Sequence, residues 1–551
     1  MKAEGGRRKD SIATAGSLVT RHSSLIAAFF LGAVTVVGYA PFYLFPLPAL
    51  TLAGLIYLWS QARTPRAAAG AGFAFGLGLF LCGVSWIYVS LHDFGAMPAP
   101  VAAATTLLFC AFLALFPAAV GYFCIRAPLA PIARWTLLAP ALWTLVEWTR
   151  GWIFTGFPWL GIGYSQIPVS PLAGYAPLLG IHGVTLAVAA SAGLIVVLAR
   201  AGARDEGRGR RAEGEERKET KGSSSLIPHP SSLAPAAILL ALWAGGWGLK
   251  QVAWTQPVGA PLNVSLLQGN VPQDMKWRAD RVEATLQTYL TLIRNSASPL
   301  IILPETALPL FLEQVPRAYL DALAAHAREN RGDILVGVPL RQADGKYFNS
   351  VISYGTAPTQ GYRKSHLVPF GEFIPLRPVL GGIVAALSIP LQDFSRGAVN
   401  QRPLAVAGQR VAINICYEDA FGEEIIRQLP EATLLVNVSN VAWFGRSLAP
   451  QQHLQISQAR ALETGRYLLR ATNTGMTAVI APDGEVAAAA PEFTMASVTH
   501  PVRGYSGATP YVRWGNYAAL SLCVTLIAAA ALTGRRRARS RNSSGSAPTN
   551  S

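Results

Sequence analysis

The stretch Val411-Ala-Ile-Asn-Ile-Cys416-Tyr-Glu418 carries a short apolar run directly into a cysteine and a carboxylate. Its β-branched residues are typical of a buried strand. Comparable runs begin at Asn263, Leu300 and Ile334, and they alternate with stretches of helical periodicity at 281–294 and 316–329. Strands that alternate with helices predict an α/β domain between about 260 and 503.

Cys416 is the only cysteine of this region, because the other four lie inside apolar runs that we interpret as membrane spans. Those four are Cys82, Cys110, Cys124 and Cys523. Cys416 therefore has no obvious disulfide partner in its own domain. An unpaired cysteine at a strand end is either a small buried hydrophobe or a nucleophile, and its position alone leaves both open.

Two other polar side chains also follow apolar runs. Glu305 comes after Leu300-Ile-Ile-Leu303 and Pro304, and Lys364 lies within the segment 361–372. Sites of α/β domains tend to lie just beyond strand ends. Taken singly, Glu305 is equally compatible with a helix cap or surface carboxylate, and Lys364 with a solvated loop charge.

The chain as a whole is markedly apolar. Hydrophobic residues make up 51% of its 551 residues and charged residues 14%, with a mean hydropathy of +0.32. This composition is too apolar for an ordinary soluble protein. Most of the apolar runs reach the roughly 20 helical residues that a hydrocarbon core requires, and together they predict eight membrane spans. The runs lie near 24–40, 43–60, 69–91, 99–125, 135–153, 171–199, 232–249 and 515–533.

The basic residues indicate the orientation of these spans. The net charge of +16 does not form a nucleic-acid footprint, because Lys and Arg lie at the ends of apolar runs. A cytoplasmic amino terminus puts the charged tract 204–221 and the Arg-rich tail on one side, whereas the loops 92–98 and 153–170 contain no Lys or Arg. This asymmetry predicts that the α/β domain is extracytoplasmic. The tract 204–221, with alternating charge and glycine, predicts a disordered linker.

The predicted domains follow from this layout. A membrane domain covers 1–249, with seven spans and a cytoplasmic charged linker at 200–231. The extracytoplasmic domain covers 250–513, and 514–551 holds the last transmembrane helix and the basic cytoplasmic tail. The first apolar run lacks an A-x-A-like cleavage site and continues into a second, so we expect an uncleaved anchor.

Three motifs of the α/β domain resemble the nitrilase, or carbon-nitrogen hydrolase, superfamily in the form found in the apolipoprotein N-acyltransferases. They are Leu303-Pro-Glu-Thr, Tyr362-Arg-Lys364 with Leu367-Val-Pro-Phe-Gly-Glu372, and Asn414-Ile-Cys416-Tyr-Glu418. Further similar segments are 268–277, 439–445, 460–466 and 470–475 in this domain, and 83–95 and 151–159 in the membrane part. Only the termini and the 200–231 linker fall outside the resemblance.

The resemblance implies an αββα sandwich with a Glu305, Lys364, Cys416 catalytic triad. It also implies that Glu372 and Glu418 support the site, and that Tyr417 and Trp277 line the pocket. Ordinary core packing remains an alternative for the two aromatics.

The implied reaction transfers a fatty acyl chain from a membrane phospholipid to the N-terminal amine of an apolipoprotein diacylglyceryl-cysteine. The enzyme would lie in the bacterial inner membrane with its catalytic domain in the periplasm. We expect no cofactor and no metal site, because the eight His are scattered without ligand spacing.

Several features stay open at the sequence level. Val441 stands where the family commonly has aspartate, which leaves any polar role of that loop in doubt. The uncharged segment 379–391 is too short to span a bilayer, so it is either an interfacial lid or a buried helix. Asp93, Glu147 and Arg150 are candidates for internal ion pairs or headgroup contacts, or they are structural.

Two other functions are compatible with parts of the sequence. A membrane-tethered nitrilase-type amidase acting on small amides could use the same Glu, Lys and Cys, although it needs no eight-span scaffold. A transporter or receptor with a soluble binding domain would not depend on Cys416 at all. Acylation of the protein by phospholipid alone distinguishes these alternatives.

Overall fold

The structure is a computed structural model that describes residues 22–215, 230–374 and 394–544. The segment 379–391, predicted as a lid or core helix, lies outside the described residues. The charged tract begins in a helix that extends to Glu215, which differs from the disordered linker predicted for 204–221. Its Ala, Arg and Glu residues are good helix formers and prolong the preceding span.

Eight helices correspond to the eight apolar runs. They are α1 (His22–Gly38), α2 (Pro46–Gln61), α3 (Pro65–Gly83), α4 (Ala99–Arg126), α5 (Ala139–Arg150), α6 (Ala176–Glu215), α7 (Pro230–Lys250) and, after the α/β domain, α12 (Tyr517–Ser544). Within the described ranges, five contain segments long and apolar enough to cross a membrane: α3, α4, α6, α7 and α12. The α1, α2 and α5 helices are shorter, so the count of eight spans stays a prediction.

The described part of the domain between α7 and α12 contains two six-stranded sheets. The strands are β1 (Gln256–Gln268), β2 (Leu300–Ile302), β3 (Asp333–Arg341), β4 (Tyr347–Gly355), β5 (Gly361–Arg363), β6 (Leu404–Val406), β7 (Gln409–Ile415), β8 (Leu434–Ser439), β9 (Leu468–Thr472), β10 (Ala478–Ile480), β11 (Val486–Ala489) and β12 (Ala496–Ser506). The first sheet has the order β12-β1-β2-β3-β4-β5 and the second β11-β10-β9-β8-β7-β6. Parallel pairs β1-β2-β3 and β7-β8-β9 form the centres.

Helices cover the outer faces of both sheets. They are α8 (Ala279–Arg294), α9 (Arg317–Glu329) and α10 (Ala449–Thr464), and the short α11 (Pro510–Trp514) leads into α12. Alternation along the strands explains the layers. Leu300 and Ile302 face the second sheet, whereas Ile301 packs against α8 and α9. The result is the predicted αββα sandwich, so the fold of this domain is confirmed.

The α10 helix lies between the second sheet and the membrane domain. Leu454 and Ala461 pack against that sheet, whereas Ile456, Ala459 and Leu462 belong to the core of the membrane domain. Nearly every residue of α10 is buried as a result. The helix therefore links the position of the second sheet to that of the membrane helices.

Candidate active site

The three predicted triad residues follow strand ends in both sheets. Glu305 lies three residues beyond β2, Lys364 directly follows β5, and Cys416 directly follows β7. The Lys364 Nζ lies 3.4 Å from Glu305 Oε1, and the Cys416 thiol is subject to the charges of both. The structure thus brings together three side chains that are 111 residues apart from first to last.

The backbone is strained at two of these strand ends. Cys416 has a φ of +54°, and Thr306, which follows Glu305, has a φ of +51°. Such left-handed conformations cost a non-glycine residue about 1–3 kcal/mol and occur where a site demands them. Gly337 on β3 passes so close beneath Glu305 that a Cβ there would collide with the carbonyl oxygen of Pro304. The close approach fixes the turn that presents the carboxylate.

Glu305 is a buried carboxylate surrounded by donors. Its Oε1 accepts from Asn349 Nδ2 at 2.7 Å, and its Oε2 accepts from the backbone amide of Asn440 at 2.8 Å. Burial alone would raise the pKa of Glu305, but Lys364, these hydrogen bonds and Lys276 together hold it below the usual range. Glu305 is therefore ionised at neutral pH and can accept a proton.

Lys364 is held between two carboxylates. Its Nζ lies 2.9 Å from Glu372 Oε2 in addition to its contact with Glu305. Burial would lower the pKa of Lys364, but Glu372 and Glu305 outweigh that effect and raise it. The ammonium therefore keeps its charge and can stabilise a developing oxyanion.

Cys416 is partly exposed. Burial and the nearby Glu305 carboxylate raise the pKa of its thiol, and Lys364 offsets this only in part. A resting thiol is therefore protonated and needs a base for each nucleophilic attack. Glu305, which is ionised and belongs to the same charge cluster, is suited to that task.

The predicted supporting residues lie around this cluster in different ways. Glu372 contacts Lys364 directly, whereas Glu418 accepts hydrogen bonds from neutral donors, including Tyr362 Oη. The buried Tyr417 donates from its Oη to the carbonyl oxygen of Gly156 in the membrane domain, at 3.0 Å. Trp277 is 44% exposed beside the site. Only Glu372, of the two carboxylates, contacts Lys364.

Sequence reasoning missed three residues that contact Glu305. Lys276 is 3% exposed, and its Nζ donates to the Glu305 carbonyl oxygen at 3.1 Å. Burial lowers the pKa of Lys276 to about 8. Asn349 and the backbone of Asn440 are the other two. Lys276 directly precedes Trp277 in a segment that the resemblance covers, which was the available signal.

The polar residues predicted near the outer ends of the spans brace a loop. Glu147 accepts from the backbone amide of Ile162 at 2.9 Å, and Arg150 donates to the carbonyl oxygens of Phe157 and Trp159, each at 2.6 Å. These bonds hold the loop that carries Gly156. Both residues also line a cavity between the membrane helices and the α/β domain, so a contact with a lipid headgroup stays a prediction.

Val441, where the family commonly has aspartate, is buried in a short turn. Phe444 of the same turn lies 4.7 Å, between ring centroids, from Trp86 of the membrane domain. The polar contact to Glu305 comes from the backbone amide of Asn440 instead. That contact does not depend on the side chain at 441.

Comparisons with known proteins agree along the whole chain. Residues 31–194 match the family model of the apolipoprotein N-acyltransferase N-terminal domain, and residues 263–511 match that of the carbon-nitrogen hydrolases. A protein of Nitrosomonas europaea named apolipoprotein N-acyltransferase is 52% identical over 93% of this chain and 98% of its own length. One of the same name from Chromobacterium violaceum is 45% identical over 98% of this chain and 99% of its own. The chain therefore belongs to the apolipoprotein N-acyltransferase family.

Proposed function

We propose that this protein transfers a fatty acyl chain from a membrane phospholipid to the N-terminal amine of an apolipoprotein diacylglyceryl-cysteine, through a thioester on Cys416. The observation that carries the proposal is the Glu305 carboxylate 3.4 Å from the Lys364 Nζ, beside the only cysteine of the α/β domain. The names of the relatives support the lipoprotein acceptor.

In the first half-reaction, Glu305 takes the thiol proton of Cys416 while Sγ attacks the acyl ester carbonyl. Lys364 stabilises the resulting oxyanion. The bond from the carbonyl carbon to the glycerol oxygen then breaks, and Glu305 returns the proton to the departing alkoxide. The products are a Cys416 thioester and a neutral lysophospholipid hydroxyl, so protons and charge balance.

In the second half-reaction, the α-amine of the lipoprotein cysteine attacks the thioester. Glu305 accepts a proton from the attacking nitrogen, and the carbon–sulfur bond breaks as the amide forms. That proton then passes to the Cys416 sulfur and regenerates the thiol. One base thus serves both halves.

A cavity between the membrane domain and the turn that follows Cys416 supports the proposal of a lipid donor. It has a volume of about 410 Å³ and lies between the loop after α5 and the turn that follows Cys416. Trp148, Trp152 and Phe421 are among its lining residues. Charged side chains, among them Arg396, Glu424 and Arg427, line it as well. A lining that combines aromatic and charged groups, at the junction of membrane helices and catalytic domain, suits a lipid that has both an apolar chain and a polar headgroup.

We place the enzyme in the bacterial inner membrane with the catalytic domain in the periplasm, because of the Lys and Arg asymmetry of the loops. Cysteine-accessibility labelling tests this placement. A probe at Glu329→Cys, on an exposed position of α9, should react from outside the cell and one at Ser540→Cys should not. The reverse pattern would contradict the orientation.

Kinetics test the covalent route. Initial rates over a grid of phospholipid and lipoprotein concentrations should give parallel double-reciprocal lines, because lysophospholipid leaves before the amine enters. Enzyme with phospholipid alone should accumulate a hydroxylamine-labile adduct on Cys416, visible by intact mass.

Two cysteine variants provide the controls. Cys416→Ala should lose both the adduct and turnover, whereas Cys82→Ala, a change in a membrane helix, should lose neither. Intersecting lines without an adduct would mean direct transfer in a ternary complex. Hydrolysis of small amides without any lipid adduct would favour the amidase alternative.

A further inference from the structure

Two adjacent polar residues near the start of α10, Gln452 and His453, make hydrogen bonds to different parts of the molecule. Gln452 contacts the membrane domain: its Nε2 donates to the carbonyl oxygen of Gly83 at 3.0 Å. Its Oε1 accepts from the indole nitrogens of Trp86 at 3.2 Å and Trp159 at 2.7 Å. All hydrogen-bonding capacity of the amide oxygen is thus used by two tryptophans of the membrane domain.

The next residue, His453, contacts the nucleophile. Its Nε2 lies 2.7 Å from Asp419 Oδ1 and 3.3 Å from the carbonyl oxygen of Cys416. Both partners are acceptors, so Nε2 carries the hydrogen. The same carbonyl oxygen accepts from Asn437 Nδ2 at 3.1 Å. Two buried donors therefore converge on the peptide that follows Cys416.

Asp419 is itself fixed from three sides. Besides His453, it accepts hydrogen bonds from Ser457 and from Arg470, whose Nη1 lies 3.2 Å away. All these side chains are almost fully buried. A carboxylate held in this way keeps the imidazole in one orientation, just as an acidic partner orients a catalytic or metal-binding histidine.

The strained backbone of Cys416 explains why the hydrogen bonds to its carbonyl oxygen matter. A φ of +54° persists in a non-glycine residue only where its surroundings enforce it. The donors from His453 and Asn437 hold the carbonyl on one side of that residue, and rotation of the peptide would move Sγ away from Glu305 and Lys364.

We propose that His453 is a positioning residue for Cys416, and that the adjacent Gln452 ties this positioning to the membrane domain. The start of α10 would then fix the position of Cys416 relative to the membrane helices from which the donor lipid arrives. The inference rests on the proposed function for its lipid assay. The roles of His453 and Gln452 are additional to the proposed function, because both residues lie outside the triad.

A pair of variants of similar length separates positioning from structural support. His453→Gln keeps an N–H donor near the place of Nε2, whereas His453→Met fills similar space without one. In the full chain reconstituted in nanodiscs, His453→Met should slow formation of the Cys416 adduct about 100-fold with little change in the apparent affinity for phospholipid. His453→Gln should restore the rate to within about threefold. Equal rates for the two variants, per folded protein, would overturn the proposal.

His326 on α9 is the matched control. Its Nε2 makes a comparable bond, 2.8 Å to the carbonyl oxygen of Ser296, far from the triad in the sandwich. His326→Met and His326→Gln should form the adduct at the wild-type rate. A loss there equal to that of His453→Met would show that removal of any part-buried imidazole has the same effect.

Alkylation of Cys416 by iodoacetamide provides a readout without lipid. His453→Met should slow this reaction about tenfold and His453→Gln should not, since the thiol reaches Glu305 only in the held position. If the wild type forms no lipid adduct but this difference persists, the proposed function fails and the positioning role stands. An unchanged alkylation rate would overturn the role.

The link to the membrane domain is tested by a double-mutant cycle. Gln452→Met should slow adduct formation by itself, and in a His453→Met background it should add little, because both changes release the same peptide. Gln452→Met also leaves Asp419 with all its donors, so it remains informative if His453→Met does not fold. Wild-type rates for Gln452→Met, or fully multiplicative effects, would contradict the coupling.

Discussion

Glu305 and Glu418 are two buried carboxylates near Cys416 with opposite surroundings. Glu305 lies beside the Lys364 and Lys276 ammonium groups, and these charges hold its pKa low. Glu418 receives neutral donors, and burial leaves its pKa raised. The difference shows that Glu305 is arranged to be a charged base, whereas Glu418 is arranged to hold polypeptide segments together.

The donors to Glu418 come from both sheets. They are Tyr362 Oη, Ser365 Oγ and the backbone amides of Ser365, His366 and Ile415. Ile415 precedes the nucleophile and Ser365 follows Lys364. Glu418 therefore fastens the Lys364 loop to the Cys416 strand without touching the reacting groups.

The largest expected effect is that of Glu305→Gln. The amide keeps the size of the side chain but cannot take a proton, so kcat should fall about 1,000-fold, as for loss of a general base. Both adduct formation and overall transfer should be lost together. Glu283→Gln, on an exposed position of α8, is the control. Near wild-type adduct formation in Glu305→Gln would mean that another group accepts the thiol proton.

Glu418→Ala should act chiefly on stability. It leaves the Tyr362 hydroxyl and three backbone amides buried without an acceptor, and each such group costs about 1–3 kcal/mol. We expect a loss of at least about 4 kcal/mol, and a melting temperature about 10 °C lower in detergent. Glu418→Gln, which keeps one acceptor oxygen, should lose less.

The melting temperature of Glu305→Gln provides a second test of the difference between Glu305 and Glu418. The melting temperature of this variant should fall less than that of Glu418→Ala, because the amide keeps one acceptor oxygen for Asn349 or Asn440 and Lys364 retains Glu372 as a partner. Equal melting temperatures for Glu305→Gln and Glu418→Ala would show that the two carboxylates do not have separate catalytic and structural roles.

Much of the fold followed from local patterns in the sequence. The alternation of strands and helices predicted an α/β domain, since period-two and helical patterns are local properties. The pairing of β2 with β3 and of β7 with β8 in separate sheets is not local, and only the family resemblance implied the sandwich. The number of spans is less determined, because α2 and α5 are apolar but short.

For the site, motifs predicted which residues lie at strand ends but not how they are partnered. Glu305, Lys364 and Cys416 were identified by the resemblance, and their roles in catalysis remain a prediction. Asn349 and His453 had no recognisable pattern of their own, because their importance arises from contacts between distant segments, and Lys276 had only its place beside Trp277 in a segment that the resemblance covers. Such contacts are visible only once the sheets are packed.

The smallest expected effect is that of Lys276→Met. It tests whether the Lys276 charge helps to keep the Glu305 carboxylate ionised. This charge is one of the causes that lower the pKa of Glu305, so Lys276→Met should raise that pKa. Glu305 must be ionised to act as a base, and a higher pKa moves the acid limb of the pH–rate profile to higher pH. At neutral pH the rate should stay within about threefold of the wild type, because Lys364 still favours the carboxylate. At alkaline pH no change is expected, since Glu305 is ionised there with or without Lys276.

The measurement is adduct formation against pH, with Lys276→Arg as the charge-retaining control. An acid limb that stays in place, or a loss of apparent phospholipid affinity instead, would show that Lys276 does not act through the Glu305 carboxylate.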